Sequence, residues 1–265
     1  MTDPRFAGIE RLYGAGSTAR LALAHACVVG IGGVGSWAAE ALARSGVGEL
    51  TLIDADEVCL SNTNRQSHAL DGEIGRAKVD VVARRLRAIN PALKVHALAQ
   101  FVTPDNLVQL MERGHGAVID ACDTLRVKVD MIAFCRRRKI PIVVSGSAGG
   151  RFDPALITSR DLSKTEHDVM LALVRKKLRD DYGWTRNPKR YFGVQAVFSR
   201  ENVNYLLPDG SVCKPGGADA EGGLKLDCAG GLGAAMHVTA TFGMVAAARA
   251  IERLLAAPLT ASETA

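Results

Sequence analysis

A glycine run limits this chain more than any other feature. Gly30-Ile31-Gly32-Gly33-Val34-Gly35 follows the apolar Cys27-Val28-Val29 and opens the Ala-rich stretch Ser36–Ser45. Glycines at this spacing let the backbone turn tightly from strand into helix and approach phosphates, which the helix N-terminus attracts. Asp54 stands 19 residues beyond Gly35, after the apolar run Leu50–Ile53, where a carboxylate can accept from ribose hydroxyls. A nucleotide site is therefore expected at Gly30, Gly32, Gly33, Gly35 and Asp54. The pattern by itself favours NAD. The sequence has no G-x-x-x-x-G-K-[ST], which excludes a P-loop NTPase.

The stretches around this run alternate. Apolar runs at 27–29, 50–53, 94–98, 117–120 and 141–144 read as strands. Residues 18–26, 36–45, 74–89, 104–111 and 127–138 between them read as helices. Such alternation predicts an α/β fold: a Rossmann-like, doubly wound parallel sheet with helices on both faces. Residues 1–150 form the expected ATP-binding core. Residues 151–265 form an α+β C-terminal extension, with a basic, helical insertion at 160–190 and an apolar last helix over about 231–256. Ala229–Ala248 has the length of a bilayer span and no Asp, Glu, Lys or Arg, but it is Gly- and Ala-rich, which favours a buried helix over a membrane span.

The residues just past Asp54 decide the nucleotide. The run Asp54-Ala55-Asp56-Glu57-Val58-Cys59-Leu60-Ser61-Asn62-Thr63-Asn64-Arg65-Gln66 places an arginine fork and amides beyond the ribose acid. A dehydrogenase has no use for these, whereas a triphosphate does. Lys78, in Gly75-Arg76-Ala77-Lys78, begins a helix that can point its ammonium into the same cleft. Asp120-Ala121-Cys122-Asp123 ends the fourth strand, where a carboxylate can hold Mg²⁺.

In this order, G-x-G-G-x-G-S, L-I-D-x-D-x-V-x-x-S-N-x-N-R-Q, G-x-x-K and D-x-x-D resemble the adenylating enzymes related to ubiquitin activation, which include activators of molybdopterin and thiamine sulfur carriers. The resemblance covers roughly 5–150. It implies that Asp54 holds the ATP ribose, that Asn62, Arg65 and Lys78 contact the phosphates, and that Asp123 carries Mg²⁺. Asp56 and Gln66 belong to the same nucleotide site. It also implies a homodimer in which an N-terminal arginine reaches the partner's triphosphate. Arg11, in Arg11-Leu12-Tyr13-Gly14, is the candidate, and Arg5 is its rival.

Carrier activators commonly hold zinc through two C-x-x-C pairs, and none of the six cysteines here forms one. Arg11–Gly14, Gly149-Gly150-x-x-Asp153-Pro154, the 160–190 insertion and Asp227-Cys228-Ala229-x-Gly231 are instead similar to the bacterial tRNA threonylcarbamoyladenosine dehydratases. That resemblance implies ATP-dependent closure of a threonylcarbamoyl group beside the tRNA anticodon into a ring, by adenylation of its carboxylate. The alternative is adenylation of the C-terminus of a ubiquitin-like sulfur-carrier protein. NAD-dependent oxidoreduction leaves Asn62, Arg65, Lys78 and Asp123 without work. No residue is assigned as general base.

Lys and Arg number 33 against 28 Asp and Glu, so the net charge is +5. That excess permits an anionic partner such as tRNA without requiring one. Arg136–Lys139 read either as a helix C-terminal cap or as phosphate contacts. Arg175-Lys176-Lys177 and Lys189-Arg190 read more readily as phosphate contacts. Tyr182, Trp184, Tyr191 and Phe192 either stack on anticodon-loop bases or form the insertion's own small core. Cys213 and Cys228 are expected in packing roles, and His237 as a satisfied core histidine. A polar N-terminus and unpaired cysteines point to a cytoplasmic protein. A sulfur-relay protein is a further candidate partner, by resemblance.

Overall fold

The computed structural model describes residues 3–207, 209–213 and 232–256. Two short helices, α1 (Ala7–Tyr13) and α2 (Ser17–Leu23), lead into β1 (His25–Val29). Next come α3 (Gly35–Arg44), β2 (Glu49–Ile53), α4 (Lys78–Ile89), β3 (Lys94–Leu98), α5 (Leu107–Met111), β4 (Ala117–Asp120), α6 (Leu125–Arg137) and β5 (Ile142–Ser145). The chain continues through β6 (Ile157–Asp161), α7 (Val169–Tyr182), β7 (Gln195–Ser199), the small hairpin β8 (Tyr205–Leu206) and β9 (Val212–Cys213), and α8 (Met236–Ala256).

Seven strands make one sheet in the order β3-β2-β1-β4-β5-β7-β6. Neighbours are parallel except β6, which runs antiparallel beside β7. The sheet is therefore continuous across residue 150. The order reverses between β1 and β4, and a crevice opens outside the carboxyl ends of the strands at such a switch point.

The five inner strands β1, β2, β4, β5 and β7 are buried on both faces, so their residues are mostly apolar on both. Ala26, Val28, Leu50, Leu52, Ile119 and Val143 face α3, α4 and α8. Cys27, Val29, Ile53, Val118, Val144 and Phe198 face α5, α6 and α7. The Ala-rich α3 lets α8 come close, and Phe242 of α8 is wholly buried. That side chain contributes roughly 2–3 kcal/mol. The last helix is thus a core helix, as its composition suggested, and among the described residues no helix is long and apolar enough to cross a membrane. It begins at Met236; residues 232–235 are not helical and 229–231 lie outside the described residues.

Several boundaries differ from expectation. The helix expected over 18–26 ends at Leu23, because His25 and Ala26 already pair with Glu49 and Leu50 in the sheet. The fourth helix starts at Lys78 rather than Ile74 because residues 75–77 pair with the strap before them: Val58 N donates to Arg76 O, and Gly75 N to Val58 O. The fifth starts at Leu107 rather than Pro104 because Asn106 holds the preceding turn, accepting from Thr103 N and donating to Phe101 O. The span 160–190 is α-helical only over α7; its first two residues close β6, a 3-10 turn follows at Leu162–Lys164, and 183–190 are loop after the left-handed Gly183.

Candidate active site at the carboxyl edge of the sheet

The glycine turn is built as its spacing demands. Gly30 takes φ 85°, and a Cβ there would meet the Ala121 carbonyl at 2.7 Å, so only glycine fits between the ends of β1 and β4. A Cβ on Gly35 would lie 1.8 Å from the Gly30 carbonyl, so the start of α3 closes tightly on the turn. Asp54, at the end of β2, is pinned beside it. One carboxylate oxygen accepts from Ile31 N at 2.6 Å and the other from Asp56 N at 2.8 Å.

The strap from Asp54 to Ala77 then wraps the mouth. Asn62 is buried, and its side-chain oxygen caps the 3-10 turn by accepting from Cys59 N at 3.1 Å. Arg65 sits over the glycine turn, where a Cβ on Gly33 would lie 3.3 Å from both Arg65 Cγ and Thr239 Cβ. Trp37 Nε1 donates to Arg65 O at 3.0 Å, fixing its backbone from α3. The Arg65 guanidinium donates to Ser61 O and to Asn64 Oδ1, each at 2.9 Å. Asn64 donates to Ala234 O at 2.6 Å, which ties the strap to the lead-in of α8. Buried Gln66 has a side-chain oxygen with no hydrogen-bond partner, and its Nε2 would lie 3.8 Å from a Cβ on Gly32.

Lys78 is the first residue of α4, where the helix dipole opposes a cation. The Asp56 carboxylate offsets this at 2.8 Å from Nζ; the lysine side chain is 8% exposed and the aspartate 53%. Asp56, Asn62, Arg65, Gln66 and Lys78 are thus gathered beside Gly30–Gly35 and Asp54. Asp123 is exposed just past β4.

Sequence reasoning missed three features here. His68, in the same strap, is fully buried with neither ring nitrogen hydrogen-bonded. Burial, and then the Lys78 ammonium, push its pKa down to about 4, so it is neutral at pH 7. Asp120 pairs with Lys128 at 2.9 Å, and both are essentially inaccessible. Burial alone would lower the Lys128 pKa, but the Asp120 carboxylate and the Cys122 sulfur raise it. Burial and then Asp120 raise the Cys122 thiol well above its ordinary value, so no thiolate forms there. Lys128 was detectable: it occupies a core position of α6 between Val127 and Val129. Third, Arg151 is 2% exposed and donates to His167 O at 2.7 Å and to Glu201 O.

A protein-family model described as the ThiF family matches residues 7–263. The chain belongs to the ThiF family. The tRNA threonylcarbamoyladenosine dehydratase of Escherichia coli is 52% identical over 95% of this chain and 94% of its own length. A crystal structure of the E. coli tRNA N6-threonylcarbamoyladenosine dehydratase in complex with ATP matches with a TM-score of 0.83 and 48% identity, covering 95% of this chain and 94% of that one. The molybdopterin-synthase adenylyltransferase of Salmonella typhimurium is 37% identical over 47% of this chain and 49% of its own.

The other candidate residues of this ThiF-family chain fall in different places. Arg11 is exposed on α1. The helices around it are anchored near the start of β2, away from the nucleotide edge: Phe6 lies against Gly46, and Ala22 against Gly48. His237 is not a core histidine; it is exposed at the first turn of α8, 3.1 Å from Phe152 O, because that face of the turn points out of the sheet packing. The aromatic set divides. Trp184 and Phe192 pack edge-to-face at 4.9 Å, whereas Tyr182 and Tyr191 are exposed at 46% and 69%. Arg136 donates to Phe192 O at 3.0 Å, and Arg138 pairs with Glu112 at 2.6 Å. In the second basic group Arg186 pairs with Asp180 at 2.6 Å, and Lys176, Lys189 and Arg190 are exposed. The Cys213 side chain and all of Cys228 lie outside the described residues.

Proposed function

We infer that this protein is an ATP-dependent tRNA threonylcarbamoyladenosine dehydratase. The carrying observation is the extent of the likeness: 52% identity to the E. coli enzyme runs through both halves of the chain, whereas likeness to a carrier-activating adenylyltransferase covers under half of it. The nucleotide edge is common to both activities, so the second half discriminates.

A free carboxylate is a poor electrophile because its leaving group would be oxide. Its oxygen attacks the α-phosphate of ATP, and pyrophosphate departs. The resulting acyl-adenylate carries AMP as its leaving group. A nitrogen or oxygen of the carbamoyl arm attacks the carbonyl carbon, the C–O bond to AMP breaks, and the nucleophile's proton is released. The net loss is one water, whose oxygen leaves in AMP. Both reactants of the second step are on one side arm, so proximity supplies much of the rate.

The chain's own residues bind and neutralise. Asp54 receives the ribose hydroxyls, and the Gly30–Gly35 turn gives backbone N–H groups to the phosphates. Asn62, Arg65 and Lys78 stabilise charge building on the phosphates. Lys78 is ready for this because its present partner, Asp56, is half solvated and readily yields to a triphosphate. The residues also fit Mg²⁺: Asp123 is an exposed carboxylate just past β4, a hard oxygen donor of the kind this ion takes. The ion would supply charge neutralisation at the phosphates.

We assign this nucleotide work to residues 1–150 and substrate contacts to residues 151–265, in a cytoplasmic homodimer. Leu12 (72% exposed), next to Arg11, and Leu23 (58% exposed), at the end of α2, favour the dimer, in which Arg11 reaches the partner's triphosphate. The anticodon arm lies against the exposed Tyr182, Tyr191, Lys189 and Arg190. The test is mass spectrometry of nucleosides from threonylcarbamoyladenosine-bearing tRNA incubated with enzyme, ATP and Mg²⁺. Loss of one water from that nucleoside, only with ATP, is expected. An unchanged nucleoside, with adenylate instead on a sulfur carrier's C-terminus, overturns the assignment.

A further inference from the structure

The amino-terminal edge of the sheet, opposite the nucleotide, carries a cluster that the activity does not use. Register places it there. In the parallel pairing His25 of β1 lies beside Glu49 of β2, and Thr51 of β2 beside His96 of β3. Glu49 and Thr51 are two residues apart, so all four side chains share one face. It is the α5–α6 face, at the corner where β3 is the sheet edge.

We propose that His25, Glu49 and His96 form a binding site for a divalent transition metal of the zinc class. One donor atom from each lies within 4.8 Å of the others. Both imidazoles converge on the same carboxylate oxygen: His96 Nε2 is 2.7 Å from Glu49 Oε1, and His25 Nδ1 is 3.8 Å from it. A tetrahedral zinc ion about 2 Å from each donor sets its donors about 3.3 Å apart, so small side-chain rotations seat it. An ordinary ion pair needs only one imidazole, whereas here two approach a single oxygen.

The surroundings suit a metal. The other nitrogen of His25 is 2.9 Å from Thr51 Oγ1, an outer partner that holds the ring with Nδ1 toward Glu49. A third imidazole, His115, stands edge-on to His25 at 4.5 Å; it is 6% exposed and its Nδ1 has no hydrogen-bond partner. The Arg113 guanidinium also faces His25 and opposes a cation, and the Glu49 carboxylate offsets it. The His96 side chain is 40% exposed, which gives an entry path. Two imidazoles and a carboxylate select zinc or cobalt over magnesium or calcium.

Full-length protein is stripped with a chelator, dialysed, and titrated with Co²⁺ and then Zn²⁺ in the absence of ATP. One equivalent of Co²⁺ per chain is expected, with tetrahedral ligand-field bands and no thiolate charge-transfer band, displaced by Zn²⁺. His96→Ala and Glu49→Gln should each bind roughly tenfold or more weakly. ATP binding reports whether each variant is folded; if His96→Ala is not, the isosteric Glu49→Gln carries the test. Failure of the parent to bind, a thiolate band, or unchanged affinity in the folded variants overturns the site.

Discussion

Two lysines at the carboxyl edge of the sheet hold aspartates at nearly the same distance and do different work. Lys78 meets Asp56 at 2.8 Å, and Lys128 meets Asp120 at 2.9 Å. The first pair is half open, because Asp56 is 53% exposed and water can replace the lysine. The second has no such substitute, with exposures of 1% and 0%. Equal geometry therefore does not mean equal energy. An open pair is exchangeable, which suits the phosphate contact proposed for Lys78. A closed pair fixes the turn that presents Asp123.

The largest effect should fall on the closed pair. Lys128→Met leaves buried Asp120 without its cationic partner, and should cost about 3–5 kcal/mol in denaturant unfolding; adding Asp120→Leu should recover most of it. Lys78→Met should lower stability by only about 0–1 kcal/mol. Equal losses in the two single variants would end the distinction. In turnover the order reverses: Lys78→Met and Arg65→Ala should each reduce ATP-dependent dehydration by roughly 10²–10³-fold, measured on modified tRNA.

A smaller effect comes from pH. His68 has a folded pKa of about 4 against about 6.5 unfolded. A depressed histidine contributes fully above the unfolded value and loses that contribution as pH falls toward the folded one. At pH 5 the loss is about 2 kcal/mol. His115 is held equally low, by burial first. His25 is lowered too, by burial first. Substituting His68 alone should therefore remove only its own part of the histidine-linked acid sensitivity in unfolding curves, about 2 kcal/mol at pH 5. A curve unchanged by His68→Asn would show that the strap opens before it titrates. The smallest expected change is Trp37→Phe, which removes the bond to Arg65 O. It should cost about 1 kcal/mol, seen as a several-fold rise in the KM for ATP with little change in kcat.

The strand–helix alternation and the first five strands were legible because each is a local pattern. Gly30–Gly35, Asp54, Arg65 and Lys78 were legible because each stands at a strand end, in the strap or at a helix start that the alternation itself places at one crevice. The partners that complete them were not. Lys128 finds Asp120 across a turn, Arg151 finds Glu201 across the sheet, and His25 meets Glu49 only through register. Such pairings depend on which strands are neighbours, and no window of sequence contains that. The limits of α4 and α5 were misplaced for a related reason: the strap and Asn106 compete for the backbone that helical periodicity would have claimed.

The bond from Asn64 to Ala234 joins residues 170 positions apart, and Thr239 of α8 also faces Arg65 O, at 3.4 Å. The strap that lies over the glycine turn is therefore held by the same helix that fills the core against α3 and the sheet. A change in how α8 seats would be felt twice, once as lost packing and once as a displaced strap.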